Sequence, residues 1–533
     1  MSPNEHTMRT RTMNRPMARG LRTAVALACA VWLGGCAVGP DYARPALAAS
    51  EGFSPKPLPE VTASAPVAAG GAQRFVRTQD IQAEWWKLFQ SKALDAVIEK
   101  AFAANPTVES AQAALRIAQE NVRAQRGFFY PTVQASYSPA RTKIAGNLGG
   151  NSPGVQGNGT VISTTANPSA QEGGTAPFNA PVIYNFHTAQ LTVGYTPDVF
   201  GGNRRQVEAL EAQATYQQLQ LEATYLTLAA NVAAAAIQEA LLRQQIASTR
   251  EIVELNTQSV ALLNRQLKAG YASRLDLALQ ENALAQASQL LPPLEKQFEQ
   301  NRNLLRALTG GVQDVELPQT FDLASLQLPE SLPLSLPSQV VAQRPDVRAA
   351  EEQVHAASAQ VGVAIAARLP QFSIDATWGG AASQFSQMFL NSGRFFSLTG
   401  NIAQPLFDAG VLKSRQRAAE EALKQAQAQY RATAITAFQN VADTLQAIHS
   451  DARALRAAVE LERTSRTSME LIGRQLSKGY VDRLALLTAQ QNHHQATMAL
   501  AQAQAARLGD TAALFQALGG GWWNRVAQAS PGE

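Results

Sequence analysis

Residues 265–275 read RQLKAGYASRL, and residues 474–484 read RQLSKGYVDRL. The two stretches lie 209 positions apart and share the frame Arg-Gln-Leu-x-x-Gly-Tyr-x-x-Arg-Leu. Each marks the tip of a helical hairpin, because Gly takes the left-handed conformation that ends a helix and a helical pattern resumes two or three residues later. Working outward, the copies keep matching. Upstream, neither Gly nor Pro interrupts Asn203 to Lys268, nor Val411 to Ile472. Each reads as one very long helix, and about 66 residues at ~1.5 Å per residue span ~100 Å. Downstream, returning helices are expected over 273–308 and 482–517, closed by Leu308-Thr309-Gly310-Gly311 and Leu518-Gly519-Gly520-Gly521. Pro292-Pro293 predicts that the first return breaks into two stacked pieces.

Further upstream the correspondence continues at other offsets. Asn105-Pro106-Thr107-Val108 opens one helical stretch and Arg344-Pro345-Asp346-Val347 another, with helices expected over 91–127 and 346–368. Tyr130-Pro131 and Leu369-Pro370 close them. Two strands follow in each copy, expected at about 131–138 and 187–196, then at about 371–379 and 395–404. Val133, Ala135 and Tyr137 alternate with Thr132, Gln134 and Ser136, and Phe372, Ile374, Ala376 and Trp378 with Ser373, Asp375 and Thr377. That is the period-two pattern of a strand with one apolar and one polar face. Loops rich in Gly, Asn, Ser and Thr, about 140–184 and 380–394, separate the paired strands and should face solvent. Tyr195-Thr196-Pro197-Asp198-Val199-Phe200-Gly201-Gly202 is answered by Ala403-Gln404-Pro405-Leu406-Phe407-Asp408-Ala409-Gly410. The chain is one unit written twice.

The N-terminus is a targeting signal and stands outside the fold. Arg9, Arg11, Arg15, Arg19 and Arg22 precede the apolar run Thr23–Leu33, which is too short to span a bilayer. It ends in Leu33-Gly34-Gly35-Cys36, which resembles a bacterial lipobox. The resemblance implies cleavage before Cys36 and acylation of its thiol and new amine. Each buried methylene adds ~0.8 kcal/mol, so such an anchor is firm. Ala37 follows where an Asp would resemble an inner-membrane retention signal, which points to the outer membrane. Removing residues 1–35 takes away five Arg and one Glu and leaves 40 basic and 40 acidic residues. The mature chain is therefore neutral, and its charge does not argue for nucleic acid. Cys29 leaves with the signal, so no pair remains for a disulfide or a thiolate metal site. No other apolar run reads as a membrane helix, so a membrane crossing is expected to use strands. Four strands cannot close a barrel, and an open edge in lipid costs several kcal/mol per unsatisfied backbone group. Further copies must supply closure: two give eight strands and a filled interior, three give twelve and room for a pore. The Ala-, Gln-, Leu- and Thr-rich long helices suit the wall of a tube, although a solvated coiled coil has a similar composition.

Cys36-Ala37-Val38-Gly39-Pro40-Asp41-Tyr42, Trp85-Trp86-Lys87-Leu88-Phe89 and the two repeats with their Gly-Tyr tips together resemble the outer-membrane efflux lipoproteins of the TolC and OprM type, in the NodT-like branch. The likeness covers about residues 36–520. It implies a mainly α fold with a membrane β part. Two tandem repeats of helix–two strands–long helix–helix would form a homotrimer whose 12-stranded β-barrel continues into a periplasmic α-helical tunnel. The domain plan is a signal peptide at 1–35, a lipidated extended segment at 36–84, repeats at 85–310 and 344–520, an equatorial linker at 311–343 and a tail at 521–533. The implied function is the passive exit duct of a tripartite efflux pump, with a periplasmic adaptor, an inner-membrane pump of the resistance-nodulation-division class and outer-membrane lipid as partners. A duct for type I protein secretion is the alternative. No enzymatic role and no cofactor is implied.

Residue by residue, the resemblance places adaptor docking at Gly270, Tyr271, Arg274 and Leu275 and at Gly479, Tyr480, Arg483 and Leu484. Gating falls to Asp276, Asp482 and Leu484, and lipidation to Cys36. The second tip departs from the family pattern, with Ala485 and Thr488 at positions that often carry Asp in relatives. His493-His494, adjacent on a helix, point about 100° apart and cannot chelate one ion, so a solvated face is expected. No nucleophile elbow, phosphate loop or metal-spaced cluster occurs. Trp522-Trp523 reads equally as an equatorial packing pair or an interfacial anchor.

Overall fold

The computed structural model describes residues 37–46, 52–53, 58–77, 79–144, 152–155, 161–165, 182–311, 317–334 and 337–525. Cys36 and the signal segment lie outside them. In chain order the elements are β1 (Arg74–Val76), α1 (Lys92–Ala104), α2 (Pro106–Arg126), β2 (Thr132–Ile144), β3 (Ser152–Val155), β4 (Val161–Thr165), β5 (Val182–Tyr195), α3 (Gly202–Lys268) and α4 (Arg274–Leu308). They continue with β6 (Ser331–Pro333), α5 (Pro337–Gln343), α6 (Pro345–Ala366), β7 (Gln371–Ala382), β8 (Arg394–Ala403), α7 (Val411–Ser477) and α8 (Arg483–Ala517). The two long helices have 67 residues each and the two returns 35 each, so the halves match in length as well as in order.

Two compact units form. One gathers the chain up to Tyr42 with Glu120–Glu211 and His355–Leu423. Its centre is an antiparallel sheet in the order β2-β5-β7-β8. The register places Val133 opposite Val193, Leu191 opposite Trp378, and Trp378 opposite Phe396. The apolar alternates read from the sequence therefore share one face, and Gln134, Thr192, Thr377 and Ser397 share the other, with Phe186 and Phe395 among them. A slip of one residue would turn a whole strand over. The two links that follow the sheet turn into the long helices through Gly201 and Gly410, at φ +75° and +86°. The β2–β5 loop is shorter than expected. The strands run on to Ile144 and from Val182, and β3 and β4 pair within the former loop. Pro139, Arg141 and Lys143 break the alternation that would have announced the extension. The 380–394 loop folds into two short 3-10 turns and buries Met388 rather than facing solvent throughout.

In the same unit Arg205, almost fully buried, clamps the N-terminal segment. It donates to the carbonyls of Val38 and Gly39 and to Asp41 Oδ1, the last at 2.7 Å. A Cβ on Gly39 would meet Gly362 Cα at 2.5 Å, so two glycines are needed for the close approach.

The second unit takes Ala43–Gln119, Ala212–Val354 and Lys424 onward. Its core is built from small side chains at helical spacing. Ala229, Ala233, Ala236 and Ala240 of α3 are buried, as are Ala434, Ala437, Val441, Leu445, Ile448, Ala452 and Leu455 of α7. The α7 set steps by three and four residues, a coiled-coil seam with a definite apolar stripe. An 18-residue window of α3 has mean hydropathy 1.3 and is 61% buried within the protein. By length and composition α3 is apolar enough to cross a membrane, which the sequence reading had denied to any further segment. Its alanines are spent on helix packing. The first return does not break: α4 runs through Pro292 and Pro293. Both prolines are exposed, so water can satisfy the carbonyls they leave unpaired.

The breaks at Asn105 and Arg344 do equivalent work with different chemistry. Asn105 Nδ2 donates to Leu308 O at 2.9 Å, and an Arg344 guanidinium nitrogen donates to Ala517 O at 2.8 Å. Each caps the last turn of the return helix in its own half. Trp85 stacks on Phe515 with centroids 5.5 Å apart. Trp522 Nε1 donates to Gln343 O at 2.7 Å and Trp523 Nε1 to Asp80. The Trp522-Trp523 pair is thus a packing pair in this unit.

Candidate functional site

Both hairpin tips lie in the second unit and are built by the same backbone device. Gly270 and Gly479 share φ of +77°. Gly270 N–H donates to Leu267 O and Tyr271 N–H to Gln266 O, at 3.0 and 2.8 Å. Gly479 N–H donates to Leu476 O and Tyr480 N–H to Gln475 O, both at 3.0 Å. This paired pattern, in which the Gly amide and the next amide fold back on the last turn, is a Schellman end. It consumes the glycine but not the tyrosine side chains. Tyr271 and Tyr480 remain 86% and 77% exposed, and Leu275 and Leu484 are exposed beside them. A large apolar ring held out at the end of a rigid hairpin suits contact with another molecule better than packing of its own turn.

The carboxylates differ between the tips. Ser273 caps α4, and Asp276 completes a capping box, accepting from Ser273 N–H at 2.9 Å and from its hydroxyl at 2.7 Å. The Ser273 hydroxyl and then its N–H hold the Asp276 carboxyl below its usual range. At the second tip Asp482 occupies the position of Ser273, and its carboxylate accepts from Ala485 N–H at 2.9 Å. Ala485 stands where Asp276 stands in the first copy, so the reciprocal half of the box is lost and Asp482 supplies only the cap. Asp482 is therefore a substitute for Ser273 and not for Asp276. Both acids remain exposed.

The arginines part company too. Arg274 is exposed, whereas Arg483 is half-buried and donates to Ser259 of α3. One turn further along, Gln280 Nε2 donates to Asn256 Oδ1 at 2.8 Å in a buried pair. The equivalent of Ser259 in the second copy, Ser468, is exposed. The sequence reading gave Arg274 and Arg483 one role; the structure gives Arg483 an intramolecular bond that Arg274 lacks. Thr488 returns its hydroxyl to Leu484 O and adds nothing to the tip. His493 and His494 are half-buried, which corrects the solvated face expected of them. His493 Nδ1 faces the Ser465 hydroxyl at 3.3 Å, and burial, then His493, pushes the His494 ring down. Among the described residues no group of three His, Cys, Asp or Glu is placed to hold a metal ion.

Two features carried no signal in sequence. One is the Arg205 clamp. The other is a half-buried acid pair, Asp451 of α7 and Asp510 of α8, beside fully buried Arg507. Burial first, and then Asp510, push the Asp451 carboxyl up to about 7.

Known proteins resemble this chain along most of its length. The family profile described as "Outer membrane efflux protein" matches residues 97–311 and 336–520. The pyoverdine export outer membrane protein OpmQ of Pseudomonas putida is 29% identical over 474 residues, covering 87% of this chain and 94% of that protein. The toluene efflux pump outer membrane protein TtgC of Pseudomonas putida is 28% identical over 499 residues, covering 93% and 95%. Among solved structures, the outer-membrane channel OprN superposes with a TM-score of 0.75 at 24% identity, covering 91% of this chain and all of that one. The open state of the Neisseria gonorrhoeae MtrE outer membrane channel gives 0.74 at 23%, covering 91% and 99%. These last two likenesses establish the fold. With the profile matching most of the chain in two blocks, the chain belongs to the outer membrane efflux protein family.

Proposed function

We propose that this chain is the outer-membrane exit duct of a tripartite efflux pump. It passively conducts solutes delivered by a periplasmic adaptor and an inner-membrane transporter of the resistance-nodulation-division class. The observation that carries the reading is the sheet. Four strands share a mainly apolar face and a mainly polar one, and β2 and β8 leave their outer edges unpaired within the described strands. Such a sheet in lipid needs closure by further copies, and three copies supply twelve strands around an aqueous lumen. Acylated Cys36 would tether each copy, with the segment after it held by Arg205. The helices would then extend into the periplasm as a tunnel. Its Tyr271 and Tyr480 tips would meet the adaptor, and Asp276, Asp482 and Leu484 would narrow the entrance.

A photo-crosslinking residue at Tyr271 or Tyr480, in cells, tests the docking role. The expected product is a covalent adduct to an adaptor protein that co-purifies with an inner-membrane pump. Adducts only to a peptidase-bearing transporter complex would favour the secretion alternative, and no adduct from either tip would contradict docking there.

A further inference from the structure

The Lys and Arg side chains of the four-stranded sheet all stand at one end of it and on one face. Among the described strand positions they are Arg141 and Lys143 of β2 and Arg394 of β8, each exposed. The register sets Tyr137, Ala189, Gly380 and Arg394 in one row across the strands, on the face shared by Val133, Leu191 and Trp378. Arg141 and Lys143 continue that face two and three rows beyond Tyr137. From Val133 to Arg141, and from Ile402 back to Arg394, the chain advances eight residues, about 26 Å along a strand. That carries the cations toward the distal edge of an outer-membrane apolar band, which is ~25 Å tall.

An aromatic cluster lies level with Arg394 and just below Arg141. Tyr137 Oη and His187 Nδ1 are 2.9 Å apart, and the two rings stack at 6.2 Å. Phe385, in the turn after β7, meets the Tyr137 ring edge-on at 5.8 Å and stays more than half exposed. Aromatic rings with a polar tip sit where apolar and aqueous layers meet, so the cluster marks the headgroup level. The opposite face carries no Lys or Arg among its described strand positions, and its one charged residue there, Asp375, lies toward the other end. The loop sequences supply few counterions either: residues 145–181 and 383–393 hold a single charged residue, Glu172.

We propose that this rim binds the phosphate groups of the phosphorylated glycolipid of the outer leaflet. Arg141, Lys143 and Arg394 supply the charge, and Tyr137, His187 and Phe385 form the platform beneath it. The inference rests on the conduit reading, which turns this face to lipid and its distal end outward. Three features select the occupant. The groups are cations, and a guanidinium offers paired donors that match the oxygens of a phosphate. They stand on the face continuous with the apolar band, so the ligand carries acyl chains as well as negative charge. Arg394 also lies three strands away from β2, about 14 Å at ~4.8 Å per strand. That spread suits a headgroup with more than one phosphate and not a single free ion.

Bisphosphorylated lipid A, added to the purified full-length lipoprotein in detergent and followed by native mass spectrometry, tests this. Wild type should bind it about tenfold more tightly than dephosphorylated lipid A. That preference should shrink as ammonium acetate rises from about 0.05 to about 0.5 M. R141Q/K143Q should remove most of the preference and R394Q part of it, while binding of the dephosphorylated lipid stays unchanged. K143R should bind as wild type does. Conductance of each variant in planar bilayers shows that it is folded and assembled. Equal binding of the two lipids by conducting wild type, or full affinity in R141Q/K143Q, overturns the inference and leaves the conduit reading standing. Displacement of the lipid by an equal concentration of inorganic phosphate overturns it too, since the site would then be one for a free anion. Wild type that neither conducts nor discriminates between the lipids removes both readings.

Discussion

Asp451 and Asp276 show how two carboxyls of one protein respond oppositely to pH. The Asp451 carboxyl, half-buried beside Asp510, is raised to about 7. It therefore holds its proton more tightly folded than unfolded. Its contribution to stability is full below the unfolded carboxyl range, at about pH 4, and is lost progressively as pH rises to about 7. Asp451→Asn should flatten that dependence, leaving the variant at pH 8 at least as stable as wild type. Thermal unfolding at pH 5 and pH 8 checks this, and an unchanged pH dependence would contradict the account. Asp276 is the reverse case. Its capping hydrogen bonds lower its pKa, so its contribution is present above the unfolded carboxyl range and lost as pH falls through the lowered value. It stays charged at neutral pH, and three such charges at a narrow entrance would attract cations. Asp276→Ala should weaken block of the closed channel by divalent cations in planar bilayers; comparable block in the two proteins would sink that role. Neither the Asp451 pair nor the Arg205 clamp was legible in sequence, because each joins residues far apart in the chain that are ordinary where they stand. Asp276 was legible, but its capping role depends on Ser273, an unremarkable residue until the helix start is seen.

The hairpin tips, long helices and strand faces were readable because each has a local signature: Gly-Tyr at a helix end, uninterrupted helical composition, period-two alternation. The Pro292-Pro293 break was misread for the same reason. A local rule was applied to an exposed face where solvent relieves the cost. Strand lengths were underestimated where Pro139, Arg141 and Lys143 obscure a pairing that cross-strand hydrogen bonds enforce. At the tips, a Cβ on Gly270 or Gly479 would meet no heavy atom within 4 Å, so substitution by Ala strains only the left-handed backbone. Each change should cost about 1 kcal/mol locally. Faster amide exchange at residues 266–271 or 475–480, with the global unfolding midpoint nearly unmoved, is the expected readout. Slower or unchanged exchange would mean that the Schellman bonds do not hold the tip.

For the whole molecule, the duplicated sequence makes two halves with equivalent elements and inequivalent surroundings. Arg483 bonds Ser259 while Arg274 stands free in solvent, and Phe200 is covered while Phe407 is bare. A single chain repeats its plan but leaves alternate seams open, as expected of a ring built from several copies. On the polar face of the sheet, Asp375 is the only charged residue among the described strand positions, with the Ser373 hydroxyl 3.4 Å away. If that face lines a lumen, Asp375→Asn should lower cation-over-anion permeability at about 0.1 M KCl. The difference should fade at about 1 M, where the Debye length shrinks from ~10 to ~3 Å; a permeability ratio equal in both proteins at low salt would place Asp375 away from the pore. The central claim, a conduit closed by three copies, is tested most directly by the purified lipoprotein itself. Light scattering of the detergent-solubilised protein should give three chains per particle, and the same particles in planar bilayers should produce discrete conductance steps. A monodisperse monomer with no conductance would contradict it.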